Sequence, residues 1–159
     1  MKKMIIDGHN LIPKMPGLNL KDMDDEVQLI EIIQEYCRLA RRQAELFFDG
    51  SPEPKAAQRK SGLVHVHFVR VGSSADDAIV QYVKNHSGDR LNLTVVSSDH
   101  RVRNGALSHG VEVISAEVFS RQVVTVLSER AVAQKTGEKK LSDDEVQEWM
   151  QFFADSKNS

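Results

Sequence analysis

The chain is short of cysteine, aromatic residues and long apolar runs, and each shortage removes a class of protein. Cys37 is the only cysteine in 159 residues, so no internal disulfide can form and a reducing cytoplasm is the expected compartment. The glycosylation-type sequons at Asn85 and Asn92 are then expected to carry no sugar. No run approaches the roughly 20 apolar residues of a membrane span. The strand-like segment after Met-Lys-Lys is too brief for a signal-peptide core, so export is not expected. Aromatic content is only 6%, with no signature of base-stacking side chains. Neither Gly-x-Gly-x-x-Gly nor a P-loop occurs, which argues against a nucleotide-binding fold. The net charge of −2 does not advertise a nucleic-acid binder, although an acidic active site would offset basic patches in that sum.

What remains is ordinary for one soluble domain: 40% hydrophobic and 28% charged residues, without internal repeats. Residues 4–6 read as a first strand. A helix is predicted over 23–43, where Val27, Ile30, Ile33 and Cys37 recur at three- and four-residue steps. Acidic residues fill its first turn and Arg38, Arg41 and Arg42 its last, as the helix dipole favours. Residues 45–48 form a second strand and 51–62 a mobile loop. A third strand over 63–70 precedes a helix from Ala75 to His86, capped by Ser73 or Ser74. Then follow a strand at 92–97, a short helix at 99–108, a strand at 111–114 and a helix at 116–130. A polar linker over 131–141 leads to a capping box opened by Ser142. The final helix carries an apolar stripe of Val146, Trp149, Met150 and Phe153. Residues 1–130 are thus expected to form the main domain, with the linker and last helix of 131–159 packing on it.

Strands alternating with helices predict an α/β fold, a three-layer sandwich around a mostly parallel five-stranded sheet. The third strand alternates apolar residues with His65 and His67, whereas the first and fourth are more uniformly apolar. Alternation suits a wetter, edge position. Order 3-2-1-4-5 puts that strand at the edge and strands one and four in the centre.

Against this frame the acidic residues form a pattern. Asp7, Asp49 and Asp99 each end an apolar run, and Asp76-Asp77 opens the helix after the third. Ligands of parallel sheets bind outside the carboxyl ends of the strands, where the strand order reverses. Like charges gathered there raise one another's pKa values and call for a cation. Oxygen-only ligands select a hard ion, Mg²⁺ or Mn²⁺. Such ions serve phosphodiester hydrolysis by polarising the phosphoryl oxygen, activating water and stabilising the leaving oxygen. Asp7, Asp76 and Asp99 are the expected metal ligands and, with Asn10, the catalytic set. Adjacent helical residues point about 100° apart, so Asp77 is assigned to capping or support instead. Asp49, Asp77 and Ser97 are expected one layer out from the ion. Each aspartate also has a plainer use, as a turn former, a helix-dipole partner or a helix cap. Gly8 is expected to let the chain turn sharply and leave room for a ligand. Lys55, Arg59, Lys60, Arg101 and Arg103 emerge at the same edge and are the candidate RNA phosphate contacts.

The stretches Ile6-Asp7-Gly8-His9-Asn10-Leu11-Ile12, Phe48-Asp49, Ala75-Asp76-Asp77-Ala78-Ile79 and Ser97-Ser98-Asp99 through Gly105-Ala106 together resemble a known family. The chain looks like an NYN domain of the YacP-like branch of PIN-like metal-dependent ribonucleases, over about residues 3–130. That resemblance implies a PIN-like fold, a Mg²⁺ or Mn²⁺ site on Asp7, Asp76 and Asp99, and endonucleolytic cleavage of RNA. Asn10 and Asp49 match supporting positions. The branch includes enzymes that cut messenger RNA in association with the ribosome, which makes the ribosome an implied partner. Asp77 stands where an acidic residue, often Glu, is expected, and the tail after residue 130 is shorter and differently composed than in some relatives.

Two other readings compete. A non-catalytic RNA- or ribosome-binding module would keep the pocket without turnover, which the intact Asp7, Asp76 and Asp99 argue against. A receiver-like phosphoacceptor domain also gathers aspartates at strand ends. It wants a lysine after the fifth strand, where Val113-Ile114-Ser115-Ala116 has none.

Overall fold

The structure, a computed structural model, describes residues 1–18, 24–51, 58–70, 74–135, 147, 150 and 151. Its strands are β1 (Lys3–Asp7), β2 (Gln43–Ser51), β3 (Gln58–Ser61), β4 (Val64–Arg70), β5 (Leu93–Val96) and β6 (Glu112–Ile114). The helices are α1 (Gly8–Leu11), α2 (Asp24–Ala40), α3 (Ala75–Asn85), α4 (His100–Ser108) and α5 (Ala116–Lys135), with short 3₁₀ turns at Ile12–Lys14 and Ser87–Asn92.

The sheet runs β3-β4-β2-β1-β5-β6. Its five parallel strands follow the expected 3-2-1-4-5 order, with β1 paired to β2 on one side and β5 on the other. The sixth strand is an addition. Residues Gln58–Ser61, expected in a loop, pair antiparallel with β4, from Gln58 opposite His67 to Ser61 opposite Val64. The third parallel strand is therefore covered along its outer edge. A polar Gln-Arg-Lys-Ser strand suits the edge position, since charged edges resist pairing with other chains.

The two faces of the sheet are buried by different helices because strand residues alternate sides. Met4, Ile6, Leu46, Phe48, Val64, Val66 and Val96 pack with α2 and α5. Ile5, Phe47, Leu93 and Val95 pack with Ala75, Ile79 and Val83 of α3 and Val102 and Ala106 of α4. Burial on both faces explains why the central strands read as unbroken apolar runs.

Several boundaries differ from expectation. Helix α2 stops at Ala40, because Arg41 adopts a left-handed φ of 56° and the Arg42 amide turns back to the Cys37 carbonyl at 3.0 Å. That is a left-handed helix stop made without glycine. Its buried side comprises Leu29, Ile30, Ile32, Ile33, Tyr36 and Cys37, whereas Val27 is 48% exposed. Helix α5 continues to Lys135, five residues into the expected linker. The rest of that linker, the capping box at Ser142, and Val146, Trp149 and Phe153 lie outside the described residues. Met150 is buried in the core formed with α2 and α5.

Candidate active site

The chain leaves β1 toward β2 and β4 on one side and later returns to β5 on the other, so the order reverses between β1 and β5. Asp7 ends β1, and Ser97-Ser98-Asp99 leads from β5 into α4. Asn10, one turn into α1, closes the gap: its Oδ1 accepts the Ser98 amide at 2.8 Å. Ser97, fully buried, accepts the Asp99 amide on its Oγ at 3.1 Å. Asn10 and Ser97 thus hold the loop that carries Asp99.

Each aspartate is placed by a local device. Asp99 caps α4, its Oδ1 accepting the amides of Arg101 at 2.9 Å and Val102 at 3.1 Å. Asp49 ends the regular part of β2, where the register with β4 shifts, and accepts the Ala75 amide at the start of α3. Ser74 caps that helix by accepting the Asp77 amide at 3.1 Å. The Asp77 carboxylate pairs with the Arg101 guanidinium, with both side chains largely exposed. Asp76 lies within electrostatic reach of Asp99, Asp49 and Asp7.

Asp7 is only 6% exposed. Burial first, then the charges of Asp76 and Asp49, push its carboxyl up from 3.8 to about 6, against a hydrogen bond from the Asn10 backbone and the nearby His9. Asp76 is raised for the same reasons, burial followed by Asp99 and Asp49, with Arg101 opposing. Among the described residues, Asp7, Asp49, Asp76, Asp77 and Asp99 therefore share the strand edge, with His9 beside Asp7 and with Arg101, which Asp77 already holds. A divalent cation would relieve this crowding, and carboxylate oxygens suit Mg²⁺ or Mn²⁺, but among the described residues the structure does not bring Asp7, Asp76 and Asp99 within 4.8 Å of one another as it does Glu45, His65 and His67.

Glu26 and Glu117 were not visible as site residues in the sequence. His9 Nε2 lies 2.6 Å from Glu26 Oε2, and that bond, more than burial opposes it, raises the imidazole pKa. Glu26 had read only as filler for the helix dipole. Glu117 at the start of α5 accepts from Ser98 Oγ at 2.7 Å and pairs with Lys14 at 3.2 Å. The Ser98 and Lys14 hydrogen bonds, with one from its own backbone, hold its carboxyl down at about 2.

Gly8 answers a packing constraint. Its φ is not positive, and a Cβ there would lie 2.3 Å from Phe48 Cε1 and 2.9 Å from the Phe47 carbonyl oxygen. The glycine makes room for a fully buried ring. Gly8→Ala is expected to cost about 1–3 kcal/mol, the usual scale of overpacking. A thermal melt checks this; an unchanged midpoint would show that Phe48 can move aside.

Among the candidate phosphate contacts, Arg101 is exposed beside Asp77 and Arg103 is half-exposed on α4. Arg59 and Lys60 fall on β3 beside β4, and Lys55 lies outside the described residues.

The family model of the YacP-like NYN domain matches residues 4–154. The chain belongs to the YacP-like NYN domain family. Membership implies a nuclease-type hydrolase. Among solved structures, the chain is similar to Rae1 (YacP) from Bacillus subtilis. Against its W164L mutant the identity is 23% and the TM-score 0.69, covering 99% of both chains. Against a second structure of Rae1 the values are 24% and 0.67, covering 100% of this chain and 96% of the other. At that identity the likeness establishes the shared fold. No curated protein matches. No helix among the described residues is long and apolar enough to cross a membrane.

Proposed function

We propose that this YacP-like NYN domain is a divalent-metal-dependent endoribonuclease of the cytoplasm. The observation that carries the reading is the buried Asp7 held near Asp49 and Asp76 at the β1/β5 switch point, with Asp76 in turn near Asp99, and the Asp7 carboxyl pushed up to about 6. Asp7, Asp76 and Asp99 would hold Mg²⁺ or Mn²⁺, which supplies Lewis-acid chemistry at a phosphodiester when bound. The chain's own residues do the positioning. Asn10 fixes the distance between the ends of β1 and β5 through the Ser98 amide. Asp99 spends one oxygen on the α4 amides and leaves Oδ2 with no hydrogen bond among the described residues. Arg101 and Arg103, together with Lys55, Arg59 and Lys60, supply phosphate contacts that give salt-sensitive, sequence-tolerant affinity for RNA. Messenger RNA on the ribosome is the substrate form the family resemblance favours.

The test is cleavage of a labelled single-stranded RNA pool with Mn²⁺, with EDTA, and by an Asp99→Asn variant. Asparagine is the right replacement because it caps a helix as well as aspartate does, so only the charge is removed. Chelation is expected to stop cleavage. The variant is expected to lose at least about 10²–10³-fold, the scale for removing one preorganised electrostatic partner of a transition state. A folded wild type that cuts no faster than the variant would overturn the reading and favour a binding module.

A further inference from the structure

A second cluster of ligating side chains lies on the α3 face of the sheet, away from the carboxylate edge. Glu45 on β2 stands in register with His65 on β4, and His67 follows two residues on, on the same face. Glu45 Oε2 is 3.1 Å from His65 Nδ1 and 2.7 Å from His67 Nε2. One donor atom from each of the three residues falls within 4.8 Å of the others. The other oxygen is held separately: Tyr82 donates to Glu45 Oε1 at 3.2 Å, and Lys3 reaches it at 3.5 Å. Asp49 lies four residues further along β2, about 13 Å away at the rise of an extended strand.

We propose that Glu45, His65 and His67 form a binding site for a borderline divalent transition ion, Zn²⁺ first among them. Two imidazoles and a carboxylate are the donors such ions take, and hard Mg²⁺ or Ca²⁺ does not favour imidazole. The frame is already built, because three ligands on two hydrogen-bonded strands need no chain rearrangement to converge. Supporting contacts are also in place. Tyr82 and Lys3 fix the carboxylate plane, and the His67 ring stacks on Phe47 with centroids 4.3 Å apart. Such outer partners orient ligands and commonly change affinity by about 10–100-fold. The site is reachable: the His65 side chain is 35% exposed, while those of His67 and Glu45 are 14% and 9% exposed. Three protein ligands beside solvent leave coordination positions for water. A bound ion would replace the protons the two imidazoles now direct at Glu45 and would tie β2 to β4 behind Asp49.

The experiment is a Co²⁺ titration of the metal-stripped full chain in excess Mg²⁺, which occupies the carboxylate edge. Visible absorption follows binding, and Zn²⁺ is then added as competitor. The wild type is expected to bind about one equivalent, displaced by Zn²⁺, which favours a four-coordinate site of imidazole and carboxylate donors. His65→Gln and His67→Gln should each weaken binding by more than about 10-fold, since a lost ligand matters at least as much as a lost outer partner. Asp7→Asn should leave it unchanged. Circular dichroism of the stripped variants checks folding, and the exposed His65 carries the test if His67→Gln does not fold. Absent Co²⁺ absorption, equal binding by wild type and His65→Gln, or loss in Asp7→Asn would each overturn the assignment. None of these outcomes depends on RNA cleavage.

Discussion

Asp7→Asn is expected to stabilise the metal-free protein at pH 7 by about 2–3 kcal/mol while removing RNA cleavage. The stability half follows from the carboxyl's displacement from 3.8 to about 6 by burial and by Asp76 and Asp49. An acid whose folded pKa is raised releases its proton more readily when unfolded. Its penalty is absent below about pH 4, grows between 4 and 6, and is complete above 6. The gap in melting temperature between variant and wild type should therefore be small at pH 4 and open toward pH 7. It should reach several degrees, at roughly 2–4 °C per kcal/mol for a chain of this size. Comparing the two proteins cancels Glu117, which titrates in both, while His9, raised in part by the Asp7 charge, contributes to the difference in the same experiment.

Adding Mn²⁺ is expected to close that gap. A ligand that binds only the folded state raises stability by an amount set by its concentration over Kd. Wild type should gain and the variant should not. Thermal melts over a pH series, with and without Mn²⁺, read all three effects. A variant less stable than wild type at pH 7 would show that the charge on Asp7 is already compensated. A Mn²⁺ response equal in both proteins would place the ion elsewhere.

The parts of this molecule that sequence exposed are those encoded locally. A parallel strand buried on both faces spells itself as an apolar run, so the aspartates ending β1, β2 and β5 stand out against it. The strand order followed from one contrast, the alternation around His65 and His67. The wetness of that strand comes from its own face, however, since β3 covers its edge. Gln58–Ser61 escaped notice because a polar edge strand resembles a loop in composition. The stop of α2 escaped because nothing in Arg41 announces a left-handed backbone.

What stayed hidden depends on partners distant in the chain. Gly8 is explained by Phe48, forty residues on, and His9 by Glu26. The histidine pair was visible as two residues on one strand face. Glu45, the carboxylate that completes it, belongs to another strand and acquires meaning only from the pairing register.

Asp49 offers the sharpest separation of charge from position. Its carboxylate raises Asp7 and Asp76, and it also accepts the Ala75 amide, anchoring the first turn of α3 to the end of β2. Asp76 is the next residue along. If the anchor is what matters, Asp49→Asn keeps an acceptor for Ala75 and should retain activity within a few-fold of wild type. Asp49→Ala frees the helix start and should lose about 10–100-fold, the usual range for partners that orient ligands. The same variant should cost about 1 kcal/mol of stability, as a lost cap does. Steady-state cleavage by both variants, each with a thermal melt, decides the matter. Equal large losses in the two would make the charge of Asp49 the contributing property and move it into the ligand set with Asp7, Asp76 and Asp99. Because the Ala75 amide is the hydrogen bond to Asp49 among the described residues that the two variants treat differently, the comparison measures how firmly the start of α3 must be held for activity.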